Sequence, residues 1–266
     1  MAQPQFVKID SHAHLTSDEL YPEVDQIIHR AKMSGVEKII NIATSKTTLE
    51  RGLVLSEKYP DLIFNVASTT PHDVEQEGET FFPLVQKAAR EGKLFAIGET
   101  GLDYYYEHSR RDLQRIFLQK YFELARHSGL NVVIHCRGDQ AFTELFEIAE
   151  EQVIIPKCLL HCFTGNSSQA KQAIKHGWQI SLSGILTFKK SEQLRQVVKE
   201  IPLEYLQIET DSPYLAPQSK RGETNEPSFI GEVAEEIAKV KGVPLEQVCA
   251  ETYKNSCSFF QLSSKI

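Results

Sequence analysis

The chain has 266 residues, of which 41% are hydrophobic and 24% charged, with a formal net charge of −7. This composition is ordinary for a globular protein. The length is enough for one large α/β domain or two small ones. The chain has 36 acidic and 29 basic residues. This acidic excess argues against a protein that coats nucleic acid without regard to sequence, because such a protein needs a broad basic face. It does not exclude a nucleic-acid enzyme whose metal ions supply the local positive charge.

Eight short runs rich in Val, Ile, Leu and Phe alternate with segments of helical spacing. Apolar runs of this kind are typical of buried parallel strands. They cover residues 6–10, 38–43, 62–67, 94–99, 131–136, 157–162, 178–183 and 206–210. Four of the strands follow a glycine that can end a helix in the left-handed conformation, namely Gly35, Gly92, Gly129 and Gly177. The last two segments, 227–242 and 244–260, are predicted to be closing helices, the first beginning at or near Pro227.

Alternation of strands and helices implies a parallel sheet with right-handed crossovers. Eight such units in roughly 250 residues match a TIM barrel, and an open doubly wound sheet is the other candidate. We predict an α/β fold: a (β/α)8 TIM barrel formed by a single domain over residues 1–266, with additional C-terminal helices.

The cysteines and the N-terminus favour a cytoplasmic protein. Five cysteines are an odd number with no spacing typical of a disulfide framework, and a reducing compartment is the simpler setting. Cys158 and Cys162 are spaced loosely for a zinc pair, so we interpret them as small buried side chains. The N-terminal residues MAQPQF do not resemble a secretory signal, and no apolar run approaches the length of a membrane span.

Residues able to bind a metal ion recur where the predicted strands end. His12 and His14 come first, and side chains two positions apart in a strand point the same way, so both imidazoles could reach one ion. Four others occur at the ends of later strands: Glu99, His135, His161 and Asp211. In a barrel all these ends face one mouth, whereas the outermost of eight strands in an open sheet lie on the order of 30 Å apart. The metal hypothesis therefore favours the closed barrel, and the two inferences are not independent.

Each of these residues alone has an ordinary structural explanation. A single histidine is often a hydrogen-bonded core residue, Glu99 could cap a helix or pair with Arg137, and Asp211 could be a turn residue. Together, four imidazoles and two carboxylates in otherwise apolar strands are costly to bury unpaired. A centre of two divalent ions (Zn²⁺, Mg²⁺ or Mn²⁺) explains all six, and such a pair can promote displacement at phosphorus.

Six motifs resemble, in their order and spacing, those of the TatD-like metal-dependent hydrolases, which belong to the wider amidohydrolase-like barrels. The motifs are DSHAHL, AIGETGLDYYY, IHCR, LHCFTG, IETDSPYL and RGETNEP. The resemblance implies a two-metal deoxyribonuclease that hydrolyses DNA phosphodiester bonds, at strand ends or in single strands. The family pattern divides the six strand-end residues between two metals: His12, His14 and Asp211 on the first, His135 and His161 on the second, and Glu99 on both.

The resemblance also suggests roles beyond metal binding. Asp211 would take a proton from the attacking water, so that Asp211 and Glu99 are the expected catalytic residues. Arg137 is a candidate phosphate contact, with a salt bridge as the alternative. Three consecutive tyrosines lie in the loop expected at the mouth and could stack on an unpaired base or simply pack, namely Tyr104, Tyr105 and Tyr106. Arg221, in a loop expected to rim the mouth, could touch phosphate or be solvated.

One stretch departs from the family pattern. After its third strand the family usually carries Gly-x-His-Pro, and here ASTTPHDV places Thr70 where that histidine falls, followed by Pro71 and His72. Either His72 takes over the substrate-side role through a shifted loop, or it only begins the next helix. We expect the metal site to survive and turnover or substrate preference to change.

Two other functions remain open. The same site could hydrolyse an ester or amide, as in a D-aminoacyl-tRNA deacylase, because fold does not fix function. A catalytically weak binding module is the other alternative, and Thr70 is its support. We expect DNA as the partner of the leading hypothesis, no membrane partner, and a monomer.

Overall fold

The computed structural model describes residues 6–151 and 156–263. Eight parallel strands form one sheet in chain order. They are β1 Lys8–Ala13, β2 Val36–Ala43, β3 Ile63–Ala67, β4 Ala96–Asp103, β5 Val132–Arg137, β6 Cys158–Leu160, β7 Gln179–Leu182 and β8 Leu206–Ile208. The segment after β8 returns to β1, where Ala13 and Ser212 form a parallel bridge and the Asp211 N–H donates to the His12 carbonyl at 2.9 Å. The sheet is therefore a nearly closed barrel, and the TIM-barrel prediction is confirmed.

Helices alternate with the strands and two more follow the last strand. They are α1 Val24–Met33, α2 Lys46–Lys58, α3 Val74–Arg90, α4 Arg111–Ser128, α5 Asp139–Glu150, α6 Ser167–Lys175, α7 Glu192–Glu200, α8 Ile230–Lys241 and α9 Leu245–Phe259. Pro227 opens a short 3-10 turn just before α8, so the two closing helices are also confirmed. Among the helices in the described part of the chain, none combines the length and apolar character needed to cross a bilayer.

The apolar core divides into two clusters because successive side chains of a strand lie on opposite faces of the sheet. The larger cluster packs the sheet against the helices and includes Ile39 and Ile97. The smaller contains Ile40, Val133 and, from the chain after α9, Phe260. Each fully buried side chain of this size contributes about 1.5–3 kcal/mol to folding. Because one face of the curved sheet points inward, the smaller cluster fills the barrel interior. Polar side chains lie at the carboxyl ends of the strands.

Glu99 lies within β4 and not at its end, which differs from the prediction. The pairing of β4 with β5 shifts register between Ile97 and Thr100 and then continues to Asp103. The apolar run ends at Glu99, so apolar character alone does not predict that the strand continues to Asp103. β6 differs in the opposite sense, because it ends at Leu160 and leaves His161 in the loop that follows.

Gly101 allows β4 to pass close to β5 after this shift. Its φ is +149°, and a Cβ atom there would collide with the backbone carbonyl of His135. Backbone cannot move aside as a flexible side chain can, so the contact fixes the identity of this residue.

We expect Gly101→Ala to lower the free energy of unfolding by about 4 kcal/mol, among the larger effects of single substitutions. Gly92→Ala is the matched control, because Gly92 also has a positive φ of +67° but no atom lies within 4 Å of the added Cβ. Its cost should be about 1–2 kcal/mol, that of a left-handed alanine. Urea denaturation of both variants measures the difference, and equal losses would contradict the close approach of β4 and β5.

Candidate metal centre

Glu99 lies at the centre of a cluster of four histidines. Its Oε2 is 3.4 Å from His12 Nε2 and 3.8 Å from His14 Nε2. Its Oε1 is 2.9 Å from His135 Nδ1 and 3.0 Å from His161 Nε2. Each oxygen of one carboxylate therefore faces its own pair of imidazoles, and Glu99 belongs to two groups of side chains that could each hold a metal ion.

Asp211 adds a second carboxylate to the pair formed by His12 and His14. Its Oδ1 is 3.4 Å from His14 Nε2 and 3.6 Å from His12 Nε2. The residue has a φ of +58°, in the left-handed region, which aspartate tolerates better than most residues. The hydrogen bond from the Asp211 N–H to the His12 carbonyl holds this conformation. The same contact closes the barrel, so closure also positions the Asp211 carboxylate.

The charges of the cluster compensate one another. Burial raises the pKa of Glu99, but the nearby His161 and hydrogen bonds from three imidazoles outweigh burial and hold that pKa well below its ordinary value. Burial also raises the pKa of Asp211, and the hydrogen bond from His14 and the other imidazoles bring it below its usual range. Burial and then His161 lower the pKa of His12, which favours the neutral, metal-binding imidazole.

The residues fit a divalent metal centre. His12 Nε2 and His14 Nε2 face each other at 3.2 Å, and His135 Nδ1 and His161 Nε2 at 3.3 Å. At least one nitrogen of each pair must present a lone pair to the other, because two N–H groups would repel at this distance. Imidazole nitrogens converging on a shared carboxylate are a donor set that suits Zn²⁺, Mn²⁺ and related ions.

Asp103 orients His135 from behind. Its Oδ2 lies 2.8 Å from His135 Nε2, while its Oδ1 accepts the N–H groups of Tyr105 and Tyr106 at 2.9 and 2.8 Å. Burial alone would raise the pKa of Asp103, but these hydrogen bonds, that of His135 foremost, lower it to about 2. In the neutral imidazole, a carboxylate that accepts from Nε2–H leaves the lone pair on Nδ1, which faces Glu99.

Two more buried acids lie behind the cluster, one beside an imidazole and one bound to backbone and hydroxyl groups. Glu209 accepts the Cys162 N–H at 2.8 Å and lies 3.4 Å from His161 Nδ1. Asp10 accepts the Thr210 hydroxyl at 2.6 Å and the His12 N–H at 3.3 Å, and burial raises its pKa to about 7. Neither residue, nor Asp103, was predicted from the sequence. A signal was available for two of them, since Asp10 and Glu209 stand two positions before His12 and Asp211.

The cluster forms the floor of a cavity of about 470 Å³ whose wall includes Thr70 and His72. The Thr70 hydroxyl donates to Asp73 at 2.7 Å. His72 lies 3.6 Å from Asp103 Oδ2 through its Nε2, and its ring is 5.2 Å from that of His135. His72 therefore stands on the His135 side of the cavity, and it is outside the two groups that share Glu99.

Arg137 lines the same cavity, with its guanidinium 4.6 Å from the ring centre of Tyr105 and 4.9 Å from that of Tyr106. Within residues 6–151 and 156–263 no carboxylate forms an ion pair with it, so the salt bridge considered from the sequence is not found.

The two cysteines expected to be small buried side chains differ in exposure. Cys158 is buried, but Cys162 is half-buried in the cavity wall because β6 ends before it.

The structure does not bring two of the predicted substrate contacts to the cavity. Tyr104 is buried, with its hydroxyl donating to Glu144 at 2.7 Å and its ring under Arg111. Arg221 lies over the ring of Phe188, 4.5 Å from its centre. Both side chains are engaged elsewhere, and their contact with substrate remains a prediction.

A family model described as TatD related DNase matches residues 9–261. The chain belongs to this family. Its TatD relatives include YabD, a metal-dependent hydrolase of Bacillus subtilis (strain 168) that is 34% identical over 256 residues, covering 96% of this chain and 99% of YabD. The 3'-5' ssDNA/RNA exonuclease TatD of Pectobacterium atrosepticum is 27% identical, covering 96% of this chain and 99% of that protein.

A solved structure gives the same assignment. YJJV, a TatD homolog from Escherichia coli K12, superimposes with a TM-score of 0.88 at 25% sequence identity, covering 96% of this chain and 98% of YJJV. The chain is thus a metal-dependent hydrolase of the TatD family with the family's fold over nearly its whole length.

We expect Asp103→Asn to weaken binding of Zn²⁺ or Mn²⁺ by about 10–100-fold, the usual effect of removing a carboxylate that orients a histidine ligand. Equilibrium dialysis followed by elemental analysis gives the affinity and the number of ions bound. Asp73→Asn is the matched control, because this carboxylate lines the same cavity but accepts from Thr70. Wild-type affinity in Asp103→Asn would refute the orienting role.

Proposed function

We propose that this chain is a divalent-metal-dependent deoxyribonuclease that hydrolyses DNA phosphodiester bonds at strand ends or in single strands with two ions. The observation that carries the proposal is the position of Glu99, whose two oxygens face separate imidazole pairs 2.9–3.8 Å away. One carboxylate between two pairs of imidazoles is an arrangement that could hold two ions side by side, as two-metal hydrolysis requires. The description of the matching family and the name of the Pectobacterium relative support the choice of DNA.

The proposed ligands divide as the family pattern predicts: His12, His14 and Asp211 on one ion, His135 and His161 on the other, and Glu99 on both. When bound, two such ions lower the pKa of water toward neutrality and stabilise the charge that develops on the phosphoryl oxygens. They also supply the positive charge that a chain of net charge −7 lacks.

Asp211 accepts the proton of the attacking water in this proposal. Its carboxylate is ionised because the surrounding imidazoles lower its pKa, and it opens onto the cavity. A proton acceptor must reach the water directly. Of the two carboxylates in the cluster, Asp211 is the one proposed to do so, because Glu99 is held between the imidazoles.

Arg137 and His72 contact the substrate in this proposal. The Arg137 guanidinium is held against two tyrosine rings, which leaves its planar set of N–H donors available for phosphate oxygens. His72 faces the cavity beside Asp103. The free cysteines of the described residues suit a reducing compartment, and we propose a cytoplasmic enzyme formed by one domain.

Purified protein with Mg²⁺ or Mn²⁺ should degrade end-labelled single-stranded DNA, and excess chelator should abolish the reaction. Asp211→Asn should lower kcat by about 100-fold or more at saturating metal, since a positioned base contributes factors of this size. Gel analysis of the products measures the rate, with metal content determined in parallel. Asp112→Asn, which alters a surface carboxylate paired with Arg110, should behave as wild type.

A panel of aryl, lactone and aminoacyl-tRNA esters run beside the DNA separates the other functions. Intact DNA together with hydrolysis of an ester would contradict the nuclease proposal in favour of the ester alternative. Full metal occupancy with no substrate turned over would favour a binding module.

A further inference from the structure

Exposed aromatic side chains are concentrated at the mouth of the cavity. Among the described residues, three large aromatic side chains are exposed. All three are tyrosines: Tyr105, Tyr106 and Tyr214. Two of these, Tyr106 and Tyr214, line the cavity above Glu99 and are 49% and 54% exposed. Aromatic faces left open beside a catalytic cluster are suited to binding a planar apolar group.

The two cavity tyrosines stand at opposite ends of the cluster. The Tyr214 ring is 5.9 Å from that of His14, edge to face. The Tyr106 ring is 5.9 Å from that of His72, which in turn is 5.2 Å from His135. One oxygen of Glu99 faces His14 and the other faces His135, so each tyrosine belongs to a different half of the site.

The backbone of both tyrosines is fixed by groups that belong to the site. The Tyr106 N–H donates to Asp103, the same carboxylate that orients His135. The Tyr214 N–H donates to the Asp211 carbonyl at 2.9 Å, and Asn225 donates to the Tyr214 carbonyl at 2.6 Å. The rings are therefore held at defined positions relative to the cluster, although their faces are exposed.

We propose that Tyr106 and Tyr214 each stack on a nucleobase, one on either side of the phosphodiester held at Glu99; this inference rests on the proposed nuclease function. A phosphodiester joins two nucleosides, and the cluster has one exposed aromatic ring at each end. Stacking on both bases requires that they be unpaired, because the faces of bases in a duplex are covered by their neighbours. Such recognition tolerates any base, because every base offers an aromatic face.

The test compares three dinucleotide substrates with Mg²⁺: one with both bases, and two in which one base or the other is replaced by an abasic residue. On the intact dinucleotide, Tyr106→Ala and Tyr214→Ala should each lower kcat/KM by about 10-fold, a typical loss for one stacked base. Each variant should show no loss on the abasic substrate that lacks its own base and the full loss on the other. The two variants should therefore give complementary patterns.

Two kinds of control accompany these variants. Tyr106→Phe and Tyr214→Phe keep the ring, so each should recover most of the kcat/KM that its alanine variant loses on substrates that carry its own base. Tyr105→Ala removes the neighbouring exposed tyrosine, which is outside the cavity wall, and should show no dependence on which base is present.

Equal losses on all three substrates, or no loss in either alanine variant, would overturn the stacking assignment while leaving the nuclease proposal intact. If the wild type hydrolyses neither these substrates nor end-labelled single-stranded DNA, the nuclease proposal fails instead. Photocrosslinking of a 5-iodouracil dinucleotide to the Mg²⁺-loaded protein then decides whether bases bind. Adducts on Tyr106 and Tyr214 would support the inference, and adducts elsewhere or no adduct would overturn it.

Discussion

The pairing of one buried carboxylate with imidazoles from three directions determines the architecture of this site. Glu99 is 6% exposed, and a carboxylate buried to this extent is costly unless charge and hydrogen bonds compensate it. The compensating groups come from β1, from β5 and from the loop after β6, strands far apart in the sequence. Only a sheet that curves on itself brings these strand ends within 4 Å of one side chain. The bridge between Ala13 and Ser212 completes that curvature and adds Asp211 to the same point.

In the half of the cluster formed by His135 and His161, each imidazole is supported by an acid on the far side of its ring. Asp103 holds His135, and Glu209 holds His161, so one nitrogen of each ring faces an acid and the other faces Glu99. Such outer carboxylates fix the tautomer and the ring orientation together. Asp103 also accepts two backbone N–H groups of the loop that carries Tyr106. The orientation of a candidate ligand and the shape of the cavity mouth therefore depend on the same side chain.

The sequence predicted the strands and the six cluster residues because both follow from simple periodicities. Apolar runs mark buried strands, and polar residues at their carboxyl ends converge in a barrel. It could not identify which of three consecutive tyrosines faces the cavity. The chain turns at Asp103, which sends Tyr104 inward to Glu144 and leaves Tyr106 at the mouth. Arg221 was assigned to the mouth from its loop alone, and its stacking on Phe188 depends on tertiary packing that no local pattern shows.

The departure at Thr70 acts on the cavity wall and not on the cluster. The Thr70 hydroxyl is engaged with Asp73, and His72 approaches Asp103 and not Glu99. The six cluster residues thus keep their contacts whatever residue stands at position 70. A change at this position alters the wall on the side of His135 and Tyr106, where a substrate group next to the cluster must fit. Thr70 therefore bears on the choice of substrate, while the residues proposed to bind the metals keep their contacts.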